Sequence, residues 1–305
     1  MRMRRRDRGQ AYVVTLLFLT GLLGMAAMAV DVGSWYKAQR SLQAAVDAAA
    51  LAGVQALPED EVEARSLAAD YLTKNGGGSA TVNVTTKTAK NDTINVKAER
   101  EAPGFFAKVV GIDSVDVHAT ATARASGIGQ AKYVAPVVVN WQHPMLKCEC
   151  WGPSNSTTLD LDKLHKPGSG NAAGAFSLID LRLNGGGNAG ASELADWMLN
   201  GMNAFMPLGD YDVAPSVNFN NSQFIDAMAA RLNTEVLFPV YKKITGSGSG
   251  AKYEIIGWVG FVPTQFDANG NPGTITGYFT QVTWQGIEAT SGPPTFGAKV
   301  VALVE

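Results

Sequence analysis

Charge and cysteine are both scarce in this sequence. Asp, Glu, Lys and Arg make up 17% of its 305 residues, against about a quarter in an average soluble domain. A net charge of −2 leaves no excess of cations to neutralise a phosphate backbone, so nucleic acid is not an expected partner. Thiols occur only at Cys148 and Cys150. Without a second pair a zinc site is not expected, even with His143 and His165 nearby. In an exported chain the two cysteines could form a disulfide, although so small a ring departs from the preferred geometry, or they could bridge two molecules.

Motifs for common chemistries are missing as well. Gly246-Ser247-Gly248-Ser249-Gly250-Ala251-Lys252 superficially resembles a phosphate loop, but Ala251 precedes the lysine and Tyr253 follows it, where the pattern needs Gly-Lys-Ser/Thr. Gly248 stands where a nucleophile elbow would carry its serine. Asp160 and Asp162 share one face of an extended segment, which surface carboxylates commonly do. Asp267, Asn269 and Asn271 look like the front of a calcium loop but lack the distal glutamate, so a hairpin turn is the expectation. No nucleophile-base-orienter set is visible. The expectation is therefore a protein that is not an enzyme, with no catalytic residues, no bound metal and no cofactor.

What the sequence does have is one long apolar run. Arg2, Arg4, Arg5, Arg6 and Arg8 precede it, and from Ala11 to Val30 no charged side chain occurs until Asp31. About 20 such residues in a helix span the hydrocarbon of a bilayer. The excess of positive charge before the run, with only Lys37 and Arg40 soon after it, places the N-terminus inside and everything from Asp31 onward outside. A cleavable secretory signal shares these parts, and Ala27-Met28-Ala29 fits its small-x-small cleavage pattern. The continuation argues for retention. Asp31 to Leu57 lacks proline and is dense in Ala, Leu and Gln, all good helix formers. One helix leaving the membrane and ending near Pro58 would reach about 70 Å.

The exposed half of that helix carries rows of small residues. Ala45, Ala49 and Gly53 fall four apart, as do Ala48, Ala52 and Ala56, so each row shares a face. Such smooth stripes admit close approach of another element. That element could be a partner helix, giving homo- or hetero-oligomers, or the chain's own globular part. Asp47, set among the alanines, could hydrogen-bond to a partner and give the surface specificity. A solvated carboxylate suffices to explain Asp31, where the run meets water.

Arg8-Gly9, the apolar run, Val30-Asp31-Val32-Gly33, Tyr36 and the string Leu42-Gln43-Ala44-Ala45-Val46-Asp47-Ala48-Ala49-Ala50-Leu51-Ala52-Gly53 resemble the N-terminal region of TadE/TadG-like Flp pilus-assembly proteins. The resemblance implies a single-pass protein of the bacterial inner membrane, working with other Flp/Tad (type IVc) pilus components in a minor pilin-like or assembly role without catalysis. Members processed by the prepilin peptidase carry a glutamate soon after the cleavage glycine. Here Gln10, Ala11, Tyr12, Val13 and Val14 follow Gly9, which points to the TadG-like branch. The Asp-x-Ser-x-Ser string of metal-dependent adhesion domains, carried by some longer TadG-like relatives, is absent. An anchored extracytoplasmic adhesin unrelated to pili is the alternative.

Beyond Pro58 the pattern predicts an α+β protein. Glu59 to Lys74 reads as a helix stopped by Asn75-Gly76-Gly77-Gly78. Ala80 to Lys87 and Thr93 to Arg100 alternate as strands, Pro103 to Val110 reads as a short helix, and Ser114 to Arg124 alternates again. His118 is expected at the surface. Ala125 to Gln130 has linker composition. Beyond it the sequence is mostly β: a buried run at Ala135 to Val139, a strand at Ala175 to Leu183 and a last strand at Lys299 to Val304. Helices are expected at Ser192 to Met202, capped by Ser192, and at Asn221 to Asn233. Tyr253 to Val262 and Thr274 to Trp284 should form a hairpin, with Trp258, Phe261, Tyr278, Phe279 and Trp284 in its core. The expected organisation is a basic segment (1–10), a membrane span (11–30), its helical continuation (31–57), a small α+β domain (58–130) and a mostly β domain (131–305).

Overall fold

The computed structural model describes residues 5–161, 175–183, 189–214, 219–246, 250–269, 273–289 and 295–304. A long apolar N-terminal helix leads into mixed α/β structure with a mostly β C-terminal region. The chain forms two compact units. One holds the residues up to Arg124 together with the last few from Ala302; the other is Ala125–Val301. The continuation of the helix beyond Asp31 belongs to the body of the first unit, and the boundary falls at Arg124 where residue 130 was expected.

In the first unit, helix α1 (Arg5–Gly53) runs unbroken from the basic segment through the apolar run and ends in a 3-10 turn at Val54–Ala56. Helix α2 (Glu61–Lys74) starts where the Asp60 side chain accepts a hydrogen bond from the Glu63 N–H at 2.8 Å, an N-cap that satisfies one of the helix's orphan donors. Strands β1 (Ser79–Thr85), β2 (Thr93–Pro103) and β3 (Ser114–Ala131) form an antiparallel sheet in that order. Their alternation is the one read from sequence. Ile94, Val96, Ala98 and Ala102 of β2 and Val117, Ala119, Ala121 and Ala123 of β3 are all buried.

Two expectations are corrected here. The helix expected from Pro103 to Val110 does not form: β2 continues to Pro103, and only a 3-10 turn at Ala107–Val110 follows, closed by Gly111 at φ 87. The stretch expected as a linker, Ala125 to Gln130, is strand, because β3 runs through it to Ala131. Its small, turn-like composition is overridden by pairing with distant partners, strand to strand, described next.

The second unit comprises β4 (Val137–Asn140), α3 (Pro144–Lys147), β5 (Thr157–Leu161), β6 (Ala175–Leu178), α4 (Ala191–Asn200), β7 (Met206–Pro207), β8 (Gly209–Asp212), α5 (Ser222–Arg231), β9 (Val236–Thr245), β10 (Lys252–Asp267), β11 (Thr274–Thr280), β12 (Val282–Thr283), β13 (Gly286–Glu288) and the first part of β14 (Ala298–Val304), whose residues from Ala302 belong to the first unit. The end of β3 pairs with β13 (Ala131 opposite Gly286) and β7 (Gln130 opposite Pro207). The Trp258 indole donates to the Ile128 carbonyl at 3.1 Å, anchoring the same stretch.

The main ladder of this unit runs β11-β5-β6-β4-β9-β10, and β10 pairs again with β11, so it closes on itself. Closure removes exposed strand edges. Inside, Phe238 stacks on Phe261 at 5.4 Å, and Phe261 meets Phe279 edge-on at 5.1 Å. The expected hairpin is β10 with β11, register Asp267 opposite Thr274. Trp258, Phe261 and Phe279 are buried; Tyr278 and Trp284 are half-buried. Helix α4 begins one residue earlier than expected, and Gly190 rather than Ser192 stands at its N-cap. Glu193 Oε2 accepts from the Gly190 N–H at 2.9 Å, which is why the start lies there. Helix α5 is capped by Asn221, whose side chain accepts from the Gln223 N–H at 3.0 Å.

Candidate functional site

Within the first unit the two halves of α1 have different surroundings. From Ala11 to Val30 nearly every side chain is exposed, including Val14, Leu17, Phe18 and Leu23. The segment is long and apolar enough to cross a membrane. From Leu42 onward the helix lies on α2 and β2. Leu42, Ala45, Val46, Ala49, Ala50 and Gly53 are buried.

The row Ala45, Ala49 and Gly53 therefore takes the self-packing alternative. A Cβ built on Gly53 would lie 2.6 Å from Ile94 Cδ1, 2.7 Å from the Ala64 carbonyl oxygen and 3.0 Å from Ala68 Cβ. Glycine is what lets α2 approach α1 at this point. Alanine contributes little transfer free energy by itself; the larger share comes from Leu42 and Val46, at about 1.5–3 kcal/mol for a fully buried aliphatic side chain. The small residues matter because they let those side chains reach the sheet. The second row, Ala48, Ala52 and Ala56, is only half-buried. Asp47 accepts a hydrogen bond from Gln43 Nε2 at 2.8 Å on its own helix, and Gln43 also donates to the Thr120 carbonyl at 3.0 Å.

Asp31 differs most from the sequence expectation. It is buried, not solvated. Oδ1 accepts the Phe105 N–H at 2.8 Å and Oδ2 the Phe106 N–H at 3.0 Å, with the Ala107 N–H donating to Oδ2 as well. The carboxylate thus caps the 3-10 turn at Ala107–Val110 and ties the loop after β2 to the end of the apolar run. Nearby, the Trp35 indole donates to the Pro103 carbonyl at 3.2 Å, and Arg100 Nη2 to the Ala38 carbonyl at 2.9 Å. Sequence reading missed this site because Asp31 and Phe105 lie far apart in the chain. The available signal was Phe105-Phe106-Ala107-Lys108-Val109-Val110-Gly111-Ile112, an apolar cluster too short for a strand or a span.

A second buried carboxylate closes the far end of the same sheet. Asp92 accepts the N–H groups of Lys87, Thr88 and Ala89 at 2.7, 2.6 and 2.7 Å, and the Thr93 hydroxyl at 2.8 Å. Burial alone would raise this carboxyl; the backbone donors outweigh it and hold the pKa below the usual carboxylate range.

The other singled-out residues are placed as follows. Arg4 lies outside the described residues, and Arg5, Arg6 and Arg8 stand in the first turns of α1. Cys148 and Cys150 are joined by a disulfide at the end of α3. His143 caps α3, its Nδ1 accepting the Met145 N–H at 3.2 Å and its ring edge-on to Phe279 at 5.0 Å. Burial lowers its pKa to about 4. His118 is exposed on β3, 3.6 Å from Glu99. His165, Asp162, Asn271 and the serines of the loop 247–249 lie outside the described residues. Among the described residues no group of three or more His, Cys, Asp or Glu is arranged to hold a metal.

A long apolar helical segment at the N-terminal end of a folded unit suggests a single-pass membrane anchor. Residues 9–56 match the family model of Flp pilus-assembly TadE/G-like proteins. The match covers the apolar run, Asp31 and both alanine rows, which fits a Tad pilus-associated membrane protein. No curated protein and no solved structure matches the chain.

Proposed function

We propose that this chain is a non-catalytic, single-pass component of a Flp/Tad pilus-assembly apparatus in the bacterial inner membrane, with its arginine-rich end in the cytoplasm and both folded units outside. The observation that carries the proposal is the family match over 9–56 coinciding with the apolar run and its packed continuation. Cationic residues gathered before the run, Arg5, Arg6 and Arg8 among them, favour that orientation. Its role is minor pilin-like: α1 holds the units against the membrane, while the half-buried row Ala48, Ala52 and Ala56 with Asp47 is the face left for partner helices. An anchored adhesin would need an exposed recognition surface; of the hairpin aromatics that could supply one, Trp258, Phe261 and Phe279 are buried and Tyr278 and Trp284 half-buried.

The test is deletion of the gene in its own host, with complementation by the full chain and by a variant lacking residues 1–30. Loss of Flp pili, restored by the full chain and not by the truncated one, is expected. Normal pilus number in the deletion strain would refute the assembly role. Chemical cross-linking in intact cells should also recover pilus components from Ala48→Cys.

A further inference from the structure

The loop Phe105–Ile112 carries Phe105, Phe106, Val109, Val110 and Ile112 in exposed positions, with Val109 at 88% and Val110 at 77% of full accessibility. Five large apolar side chains on one tight loop form a patch that soluble surfaces rarely leave uncovered. Its location names what covers it. Asp31, the residue at which the apolar run ends, holds the loop through the Phe105, Phe106 and Ala107 N–H groups. The loop then extends along the run itself: an open apolar groove of about 820 Å³ is lined by Leu23, Ala27 and Met28 on α1 and by Phe106, Val110 and Ile112 on the loop. From Asp31 back to Leu23 is about 12 Å along a helix, close to the depth at which amphipathic segments sit in a leaflet.

We propose that Phe105–Ile112 is a second membrane contact, inserted beside α1 into the acyl-chain layer of the leaflet that α1 leaves at Asp31. It rests on the anchor reading of residues 11–30. The loop's backbone suits that medium, where unpaired polar groups are costly. Besides the three N–H groups taken by Asp31, Val109 N–H donates to the Phe106 carbonyl, Gly111 to Lys108 and Ile112 to Ala107, while Gly104 at the loop's base donates to Asp113. Lys108 is the one charged residue between Phe105 and Ile112, and its long stem lets the ammonium reach lipid headgroups while the loop stays in the apolar layer. A protein partner would also cover the patch, but it would not require acceptors for the Phe105, Phe106, Ala107, Val109, Gly111 and Ile112 N–H groups within the unit itself. Insertion gives the unit two points of attachment, which fixes its tilt on the membrane.

The experiment uses the full chain in phosphatidylethanolamine–phosphatidylglycerol vesicles. An environment-sensitive fluorophore is attached singly at Val109→Cys, Val110→Cys, Leu17→Cys or Lys90→Cys, the native cysteines being bridged. Lys90 is exposed in the turn between β1 and β2, which lies at the end of β2 away from Pro103. Labels at Val109, Val110 and Leu17 should be quenched by nitroxide-bearing lipids, and iodide should quench them several-fold less than the Lys90 label. Iodide quenching at Val109 and Val110 equal to that at Lys90, with Leu17 still lipid-quenched, overturns the insertion alone. Iodide quenching at Leu17 as well overturns the anchor and the insertion with it. Shielding of Val109 from both iodide and lipid means that protein covers the loop, and also overturns the proposal.

Discussion

The two halves of α1 share one backbone geometry and meet opposite environments. Gly21 and Gly24, in the apolar half, would accept a Cβ with nothing within 4 Å; Gly53, in the packed half, would meet Ile94 and Ala64 below 3 Å. In the apolar half, large side chains such as Val14, Leu17 and Phe18 point outward all round the helix and are exposed. A narrow stripe of small residues, flanked by Leu42 and Val46, lets it lie flat on a sheet whose own inner face is mostly alanine and valine. Small side chains in a helix are therefore no sign by themselves of a partner in another molecule. What they guarantee is closeness to something, and here most of that closeness is spent inside the unit.

The contrast can be broken most sharply by enlarging the two kinds of glycine. Gly53→Leu should destabilise the first unit by about 3 kcal/mol, the upper range for overpacking, whereas Gly21→Leu should shift it by less than about 0.5 kcal/mol. Denaturant unfolding of the detergent-solubilised chain reads both, and equal effects would erase the distinction between the halves. A pilus defect in Gly53→Leu would then report misfolding as well as lost partner contact, so Ala48→Leu is the cleaner probe of partners.

Acid should separate the two units. His143 is neutral in the folded second unit, with its pKa near 4, while an unfolded histidine titrates near 6.5. As pH falls from about 6.5 to 4 the unfolded state gains a proton that the folded state refuses, and stability drops by up to about 3 kcal/mol. Asp92 has a folded pKa below its unfolded value, so its contribution holds through that window and disappears only at lower pH. Thermal unfolding followed between pH 7 and 4 should therefore show a loss that His143→Phe abolishes.

Smaller effects sharpen the picture at the junction of the halves. Asp31→Ala strips three backbone donors of their acceptor and should cost about 2 kcal/mol locally, seen as faster amide exchange at Phe105, Phe106 and Ala107 while the Leu42–Gly53 amides stay protected. Asp47→Ala removes one hydrogen bond on a half-exposed helix face and should cost no more than about 0.5 kcal/mol. If it nonetheless abolishes recovery of pilus components, Asp47 acts on a partner rather than on the fold.

Much of this was legible because it is local. The apolar run, the period-two alternation of β1, β2, β10 and β11, and the glycines past α2 each declare themselves within a few residues. What escaped depends on residues distant in the chain. Ala125 to Gln130 reads as a linker until Gly286 and Pro207 arrive to pair with it. The helix expected at Pro103 becomes strand and 3-10 turn because Asp31 fixes where the turn starts. Closure of the second unit's ladder needs β5 beside β11, which no local pattern announces. In the candidate site, the small-residue rows were visible as rows, but what they face was not, since alanine permits either neighbour equally.

Accessibility along α1 tests the central claim most directly. Nitroxide side chains placed one at a time on the full chain, reconstituted alone in lipid vesicles, report collision with oxygen, which partitions into lipid, and with a water-soluble nickel complex. From Val13 to Leu22 every position should show high oxygen and low nickel access with no periodicity. From Leu42 to Gly53 both should fall and rise with the helical period of about 3.6 residues, lowest at Leu42, Ala45, Val46 and Ala49. Nickel access throughout Val13 to Leu22, or an unmodulated profile from Leu42 to Gly53, would contradict the account.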